Sequence, residues 1–330
     1  MVEPLADMPL LPLDDEAAGE ESSAFGDAPE RRAAQVPTAL HGTRLDKAVV
    51  AMAPEFSRNH LQGLIEQGEV QLDGQVQRSA SRKVLAGQRI EIRLVPTAES
   101  RAFRPESMAL AVVFEDEHLM VLNKPAGLVV HPAAGHWSGT LLNGLLAHHR
   151  GAASLARAGI VHRLDKDTSG LMVVGKTVVA VTALVRAIAA REVHREYRAI
   201  AHGAVAPRHF GIDAPVGRDP QSRVRMAVLA SGKAARTDVE VLVQGAGFSG
   251  LRCTLHSGRT HQIRVHLAAR GHPLVADALY GGRPALGLVR QALHAARLAF
   301  VHPVTAVPLA FEVALAADVD AAWGMLASHA

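Results

Sequence analysis

The densest group of side chains that could carry out chemistry lies in residues 160–177, IVHRLDKDTSGLMVVGKT. Apolar runs typical of β-strands flank a polar loop in which Asp165 stands between Arg163 and Lys166. Loops held between rigid strands commonly carry active sites. Because nearby cations favour the ionised form of a carboxyl group, Asp165 could act as a nucleophile or as a base. It could equally form a structural salt bridge or cap a turn, and the loop alone leaves these interpretations open.

The composition argues against several other kinds of site. Cys253 is the single cysteine, so an internal disulfide framework and a multi-cysteine zinc site are both excluded. The 18 histidines form no standard ligand set with cysteine or acidic residues. The glycine pair at 281–282 matches neither a phosphate-binding loop nor a dinucleotide fingerprint. We therefore expect no metal and no cofactor.

The distribution of charge is uneven along the chain. The whole sequence has 35 Lys and Arg against 32 Asp and Glu, a net charge of +3. Residues 1–36 contain nine acids and two bases, which leaves 33 bases and 23 acids in the remainder. A basic body suits a polyanionic partner, with nucleic acid as the leading candidate, although ordinary solubility charge would look similar. The acidic segment lacks any sustained periodicity, so residues 1–38 are predicted to be a disordered tail.

The length and hydrophobicity of the chain predict a folded, soluble protein. With 330 residues, 48% of them hydrophobic, the chain can build one large domain and a smaller one. No apolar run approaches 18 residues, and the first 30 residues lack Lys and Arg, so we expect neither a membrane span nor a signal peptide. These features predict a cytoplasmic location.

Two groups of elements must position these side chains. Residues 39–96 predict a compact module with a helix from Thr43 to Pro54, a helix from Ser57 to Gly68, a hairpin at Asp73-Gly74 and a strand over residues 89–95. A polar, proline-bounded linker over residues 97–107 follows. Residues 108–330 mix many short β-like runs with two helical stretches, VVAVTALVRAIAAREV and THQIRVHLAARG, the second capped by Thr260. This pattern predicts an α+β domain with a mostly antiparallel sheet.

The amino-terminal module resembles the S4-like RNA-binding domain. The resemblance rests on RLDKAV, SRNHLQGLI, GEVQLDG and AGQRIEI. It implies that RNA is the partner and that Arg44, Lys47 and Arg58, which lie at or near helix starts, contact RNA phosphates.

The longer region resembles the RluA/RluD-type family of RNA pseudouridine synthases. HRLDKDTSGL matches the signature segment of that family, and VLNKPAGLVVHP, REYRAIAHG, APVGRDPQSRVRMAV, SGRTHQIRVHLAARGHPLVADALYGG and RQALHAARLAFVHP follow its order over residues 118–303. Ser257 and Ala276 depart from the usual residues, but neither lies in the signature loop. The greatest similarity is to members that carry an S4-like domain and modify large-subunit (23S) ribosomal RNA.

This resemblance implies that specific uridines are converted to pseudouridine. Asp165 would be the catalytic carboxylate, by attack on the glycosidic carbon, attack on the base ring or removal of a sugar proton. Tyr197 would pack on the target base, and Arg264 would fix the carboxylate through a bidentate pair. Arg163 would fill the gap left by the flipped nucleotide.

Two further residues are implied to contact RNA at the edge of the pocket, namely Lys124 and Tyr280. Three alternatives remain open from the sequence. The first is a family member that acts on other ribosomal or transfer RNA sites. The second is a non-catalytic RNA-binding ribosome-assembly factor, although the signature loop is intact. The third is a nucleosidase or glycosidase, which would normally need a second positioned acid.

Overall fold

The computed structural model describes residues 30–95, 102–133, 135–222 and 224–328. These residues fall into two compact units, 30–95 and 102–328, and each unit has a hydrophobic core of its own. No helix within these ranges is both long enough and apolar enough to cross a membrane.

The amino-terminal unit packs two helices against a four-stranded antiparallel sheet. Ser57 accepts a hydrogen bond from the His60 backbone N–H at the start of the second helix, and Gly68 ends that helix in the left-handed conformation (φ 85°) that glycine tolerates best. The sheet order is β1-β4-β2-β3. The elements are β1 (Glu30–Gln35), α1 (Leu45–Met52), α2 (Arg58–Gln67), β2 (Val70–Leu72), β3 (Gln75–Gln77) and β4 (Arg89–Leu94). Apart from β1, these are the elements that the sequence predicted. The residue that precedes α1 is Arg44 rather than Thr43, and its side chain makes no capping hydrogen bond.

The predicted disordered tail is wrong over its last residues. Residues 1–29 lie outside the described residues, but Glu30–Gln35 forms β1 and pairs along its whole length with β4. Its side chains are almost all exposed, so the sequence shows no apolar alternation there. The strand forms because β4 offers its free edge, and Val36, which follows, enters the core at 4% exposure. The described part of this unit therefore begins at residue 30 rather than 39.

The carboxy-terminal unit is built on a nine-stranded sheet in the order β5-β6-β7-β14-β8-β13-β12-β9, with β15 paired to β14. Every strand pair in it is antiparallel except β7 with β14. The predicted mostly antiparallel sheet is therefore confirmed. The sheet strands are β5 (Val112–Glu115), β6 (Leu119–Lys124), β7 (Ser169–Gly175), β8 (His194–His202), β9 (His209–Asp213), β12 (Arg236–Gly245), β13 (Phe248–Leu255), β14 (Leu293–Val301) and β15 (Pro308–Glu312), and a separate hairpin comprises β10 (Val216–Arg218) and β11 (Met226–Val228).

Four helices belong to this unit: α3 (Leu141–His148), α4 (Val178–Ala189), α5 (Gln262–Ala269) and α6 (Ala317–Ala327). The sequence predicted α4 and α5 but neither α3 nor α6. Five of the eight residues of α3 are buried, so it lacks the polar face that reveals an amphipathic helix. The start of α5 also differs from expectation, because His261 in the left-handed conformation (φ 57°), not Thr260, precedes it.

The end of the predicted linker is packed rather than free. Ala102 is 4% exposed, and the Asn143 side-chain amide donates to the carbonyls of Ala102 and Arg104. The Gly139 N–H donates to the Glu106 carboxylate. Residues 102–107 therefore belong to the carboxy-terminal unit, and residues 97–101 lie outside the described ranges.

Candidate active site

A cavity of about 400 Å³ opens in the carboxy-terminal unit beside the polar loop that precedes β7. Its wall comes from that loop, the end of α4, β8, the β13–α5 connection and the first residue of β14. Asp165 is the one acidic side chain among the described residues of this wall. Six arginines share the wall with it, namely Arg157, Arg163, Arg191, Arg195, Arg259 and Arg264. The cavity is therefore suited to a polyanionic substrate.

Asp165 is held by an arginine that is itself held by a second aspartate. Arg264 Nη1 donates to Asp165 Oδ2 at 2.9 Å. Arg264 Nε and Nη2 donate to the two carboxylate oxygens of Asp277 at 2.7 and 2.8 Å. The side chain of Asp277 is 1% exposed and that of Asp165 is 16% exposed. Asp277 therefore holds the guanidinium with two hydrogen bonds. Asp165, in the cavity wall, accepts one through Oδ2, and its Oδ1 accepts none from the described residues.

The predicted bidentate pair between Arg264 and Asp165 is therefore wrong, although the two residues do form an ion pair. The bidentate partner is Asp277, which stands just before the 3₁₀ turn at Ala278–Tyr280. Burial opposes the charge on Arg264, but its hydrogen bonds to Asp277 and the charge of Asp165 outweigh burial and raise the pKa of that guanidinium. Arg264 is consequently a permanent cation beside Asp165.

Tyr197 lies on β8 in the wall of the same cavity and is 6% exposed. In the sheet, Tyr197 is paired with Cys253 of β13 on one side and with Ala295 of β14 on the other. Burial raises the pKa of the Tyr197 phenol, so the side chain is neutral at physiological pH. The structure therefore brings Asp165, Tyr197 and Arg264 together around one cavity.

Lys124, expected to contact RNA, is instead a buried structural cation. It is 2% exposed, and Nζ donates to the carbonyls of Pro125, Leu128 and Lys166 at 2.8 to 2.9 Å. All three ammonium protons are thereby used, and burial lowers the pKa of Lys124 to about 8. The sequence does not reveal this role, because it depends on Lys124 ending β6 in the core, where its ammonium group holds the Lys166 carbonyl, one residue after Asp165.

A second, partly buried cation, Arg290, holds the carbonyl of the next loop residue. Arg290 Nη1 donates to the Asp167 carbonyl at 2.8 Å, and its Nε and Nη2 form a bidentate pair with Asp318 in the first turn of α6. The carbonyls of Lys166 and Asp167, the two residues after Asp165, are thus both held by cations from elsewhere in the unit, which limits the movement of the loop that carries Asp165.

Tyr280, also expected to contact RNA, lies behind the cavity wall. It is 8% exposed, and its hydroxyl accepts from the Met226 N–H at 2.9 Å. That hydroxyl is 2.8 Å from His261 Nδ1. Burial lowers the pKa of His261 below its ordinary value. His261 Nε2 lies 3.8 Å from Asp165 Oδ1. The sequence analysis did not assign His261 to the site.

Arg163 is exposed in the cavity wall, as expected of a side chain that enters RNA. Burial, and to a smaller extent the positive charge of Arg163, lower the pKa of the nearby His131 to about 4.

The predicted RNA-contacting arginines of the amino-terminal unit converge on one buried carboxylate. Arg44 Nε and Nη2 donate to the two oxygens of Asp46, and Arg58 Nη2 donates to Oδ2 at 2.8 Å. Gln62 and the Lys47 backbone N–H complete the shell of Asp46, which is fully buried. The side chains of Arg44 and Arg58 remain 46% and 54% exposed. Both cations are thus held in place yet accessible, and Asp46 could not be singled out from the sequence alone.

We expect Asp46→Asn to destabilise the amino-terminal unit by about 2 kcal/mol near neutral pH, because the guanidiniums lose their shared anion. Hydrogen bonds from Arg44 in particular lower the pKa of Asp46 below its ordinary 3.8. Its contribution is therefore complete above about pH 4 and is lost as the pH falls further. Hydrogen exchange of α1 and α2 amides in urea, at pH 7 and pH 3, measures this difference. The exposed Glu91 provides a control, Glu91→Gln, and equal effects of Asp46→Asn at both pH values would contradict the assignment.

Comparison with known proteins places both units among described families. The family model for RNA pseudouridylate synthases matches residues 118–269, and the S4 domain model matches residues 43–90. "Ribosomal large subunit pseudouridine synthase D" from Neisseria meningitidis serogroup B is 45% identical over 323 residues, covering 93% of this chain and 86% of that protein. The protein of the same name from Pseudomonas aeruginosa is 45% identical over 301 residues, covering 87% and 93%.

Among solved structures, human RNA pseudouridylate synthase domain containing 1 shares 27% identity at a TM-score of 0.52 and covers 69% of this chain and 89% of its own. Human RNA pseudouridylate synthase domain containing 4, at 21% identity and a TM-score of 0.53, shares the fold.

Proposed function

The chain belongs to the RNA pseudouridylate synthase family, and from this premise we propose that it converts specific uridines of large-subunit ribosomal RNA to pseudouridine with Asp165 as the catalytic carboxylate. The predicted family, fold class and enzyme class are confirmed. The target RNA and the roles of individual residues are the proposal. The target is supported by the relatives named for the large ribosomal subunit.

The observation that carries the proposal is the arrangement around Asp165. It is the one acid of the described cavity wall, and its carboxylate is paired with a guanidinium that a second, buried carboxylate anchors. A carboxylate positioned by this ion pair meets the first requirement for breaking the bond between ribose C1′ and the base nitrogen N1. The free oxygen of Asp165 suits attack on C1′, attack on the base ring and removal of a sugar proton alike.

The positions of Tyr197 and Arg163 support roles in binding the target base and in flipping it out of the RNA stack. The uracil must leave the RNA stack, rotate and rejoin the ribose through C5 while it stays bound. Tyr197 offers an aromatic side chain in the cavity wall, on which such a ring can pack. Arg163 is exposed beside the loop, where its side chain can stack in the gap that the flipped nucleotide leaves.

The amino-terminal unit supports capture of the RNA. Arg44 and Arg58 present pre-organised cations, and Lys47 is exposed on the same helix as Asp46. Phosphate contacts of this kind position a protein without reading sequence. We propose that an assembling large subunit, whose RNA is still accessible, is the partner.

The direct test maps pseudouridines in ribosomal RNA from cells that lack this protein, using carbodiimide labelling and primer extension. Complementation uses the wild-type chain and Asp165→Asn. We expect specific large-subunit sites to disappear, to return with the wild type and to stay absent with the variant. An unchanged large-subunit map would overturn the proposed target, and sites restored by Asp165→Asn would overturn the role of Asp165.

A further inference from the structure

One arginine of the cavity wall is buried and lacks a partner in the described part of the protein. Arg195 lies on β8, two residues before Tyr197 and therefore on the same face of the strand. It is 5% exposed, and its Nε is buried without a hydrogen-bond partner. No described carboxylate forms an ion pair with it. A buried cation without a counter-charge is strongly unfavourable, so a ligand that brings negative charge into the cavity would relieve this position.

The other arginines of the wall occupy different environments. Arg264 has its two carboxylates, and Arg259 Nε donates to a backbone carbonyl. Arg157, Arg163 and Arg191 are exposed. Exposed cations at a rim suit RNA phosphates, which remain hydrated. A buried cation beside Tyr197 suits the part of the substrate that enters most deeply, and that part is the base.

The neighbouring backbone leaves room for the Arg195 guanidinium. A Cβ atom added at Gly258 would lie 2.9 Å from Arg195 Nη1. Gly258 does not have a positive φ, so its conformation would accept another residue. The lack of a side chain at Gly258 therefore leaves the space that the Arg195 guanidinium occupies.

We propose that Arg195 binds a carbonyl oxygen of the target uracil and stabilises the negative charge on the base while it is detached from the ribose. This inference rests on the proposed function. Two of the three routes open to Asp165 act on the sugar, namely attack on C1′ and removal of the C2′ proton. When the C1′–N1 bond breaks on either of these sugar-side routes, its electron pair stays with the base, and the negative charge spreads over N1, O2 and O4. The sugar has then either bonded to Asp165 through C1′ or given its C2′ proton to Asp165.

Rejoining the base to the ribose removes that charge. Where Asp165 has bonded to C1′, the new C5–C1′ bond displaces the carboxylate. Where Asp165 has taken the C2′ proton, it returns that proton to C2′ as the C5–C1′ bond forms. The C5 proton is then lost and N1 takes up a proton, so the product is neutral at the base. Arg195 exchanges no proton in either route and acts as a fixed charge placed where negative charge develops.

The test uses an RNA fragment with one uridine that the wild-type chain modifies, prepared with uridine, 2-thiouridine or 4-thiouridine at that position. Single-turnover rates and RNA dissociation constants are measured for the wild type, Arg195→Met, Gly258→Ala and Arg186→Met. Arg186 is an exposed residue of α4 outside the cavity wall, so its variant makes the same charge change elsewhere.

We expect Arg195→Met to lower the single-turnover rate on uridine by about 100-fold, with little change in RNA affinity and with a melting temperature no lower than that of the wild type. Gly258→Ala, which displaces the guanidinium, should give a smaller loss. Sulfur is a weak hydrogen-bond acceptor. The thio substitution at the oxygen that Arg195 contacts should therefore lower the single-turnover rate of the wild type, yet lower the rate of Arg195→Met little further. Arg186→Met should behave as the wild type.

Additive effects of both thio substitutions with Arg195→Met would overturn the contact with the base. A loss confined to RNA affinity would overturn it as well and would assign Arg195 to a phosphate. These outcomes require an active wild-type chain, whereas a wild-type chain that modifies no uridine would contradict the proposed function itself.

Discussion

Replacing Asp165 with asparagine should reduce pseudouridine formation by about 10⁴-fold or more, the scale of loss seen when an essential catalytic side chain is removed. Asparagine keeps the shape of the side chain and can still accept a hydrogen bond from Arg264, but it removes the negative charge. Without that charge the group can neither attack a carbon nor take a proton from the sugar. The single-turnover rate on an RNA fragment measures the effect.

Asp167, two residues further along the same loop, supplies the matched control. Its backbone carbonyl, rather than its carboxylate, is the atom that Arg290 holds. Asp167→Asn should therefore lower the rate by less than about 10-fold, as for a substitution outside the reacting atoms. RNA binding by Asp165→Asn should remain close to that of the wild type. A rate within 100-fold of the wild type for Asp165→Asn would rule out the carboxylate as the reacting group.

Replacing Asp277 with asparagine should damage both stability and catalysis, although this residue does not face the substrate. Asp277 is 1% exposed and forms the bidentate pair that holds Arg264. Removing one partner of a buried ion pair typically costs about 3–5 kcal/mol. Arg264 would then be drawn more strongly to Asp165, its one remaining anion, and the carboxylate would shift from its position. Because misplacement by about 1 Å can cost about 100-fold in rate, we expect a loss of that order.

Thermal unfolding and single-turnover kinetics separate the two effects of Asp277→Asn. A cost of this size in a unit of more than 200 residues corresponds to a fall in melting temperature of roughly 10 °C. Glu240→Gln is the matched control, because Glu240 pairs with Arg252 at a more exposed position outside the cavity wall. Glu240→Gln should leave the melting temperature close to that of the wild type, because exposed ion pairs contribute little to stability. An unchanged melting temperature for Asp277→Asn would show that the pair does not anchor the site.

The loop that carries Asp165 could be proposed from the sequence as the reactive one, because its polar and charged side chains are contiguous. Asp165 and its neighbours stand within a few residues, and the flanking apolar runs predict the structure that holds them. Tyr197 and Arg264 came from the family resemblance, and the structure does bring them to the same cavity. The partners of Arg264 could not be ranked from the sequence, because the choice between Asp165 and Asp277 depends on how the chain turns after α5.

Residues whose roles depend on burial were the ones misassigned. Lys124 and Tyr280 carry polar groups that suit RNA contact, yet both are buried and their polar groups bond within the protein. Asp46 looked like an ordinary helix residue, but two arginines from separate helix starts meet on it. Arg195 gave no signal either, since a missing partner can be recognised only in three dimensions.

The position of β14 in the sheet has a consequence for synthesis of the chain. β14 lies between β7 and β8, although about ninety residues separate its start from the end of β8. A growing chain therefore presents the unpaired edges of β7 and β8 until residue 301 has left the ribosome. Such edges readily pair with other chains. Premature termination before β14 should thus yield products that aggregate through the exposed edges of β7 and β8.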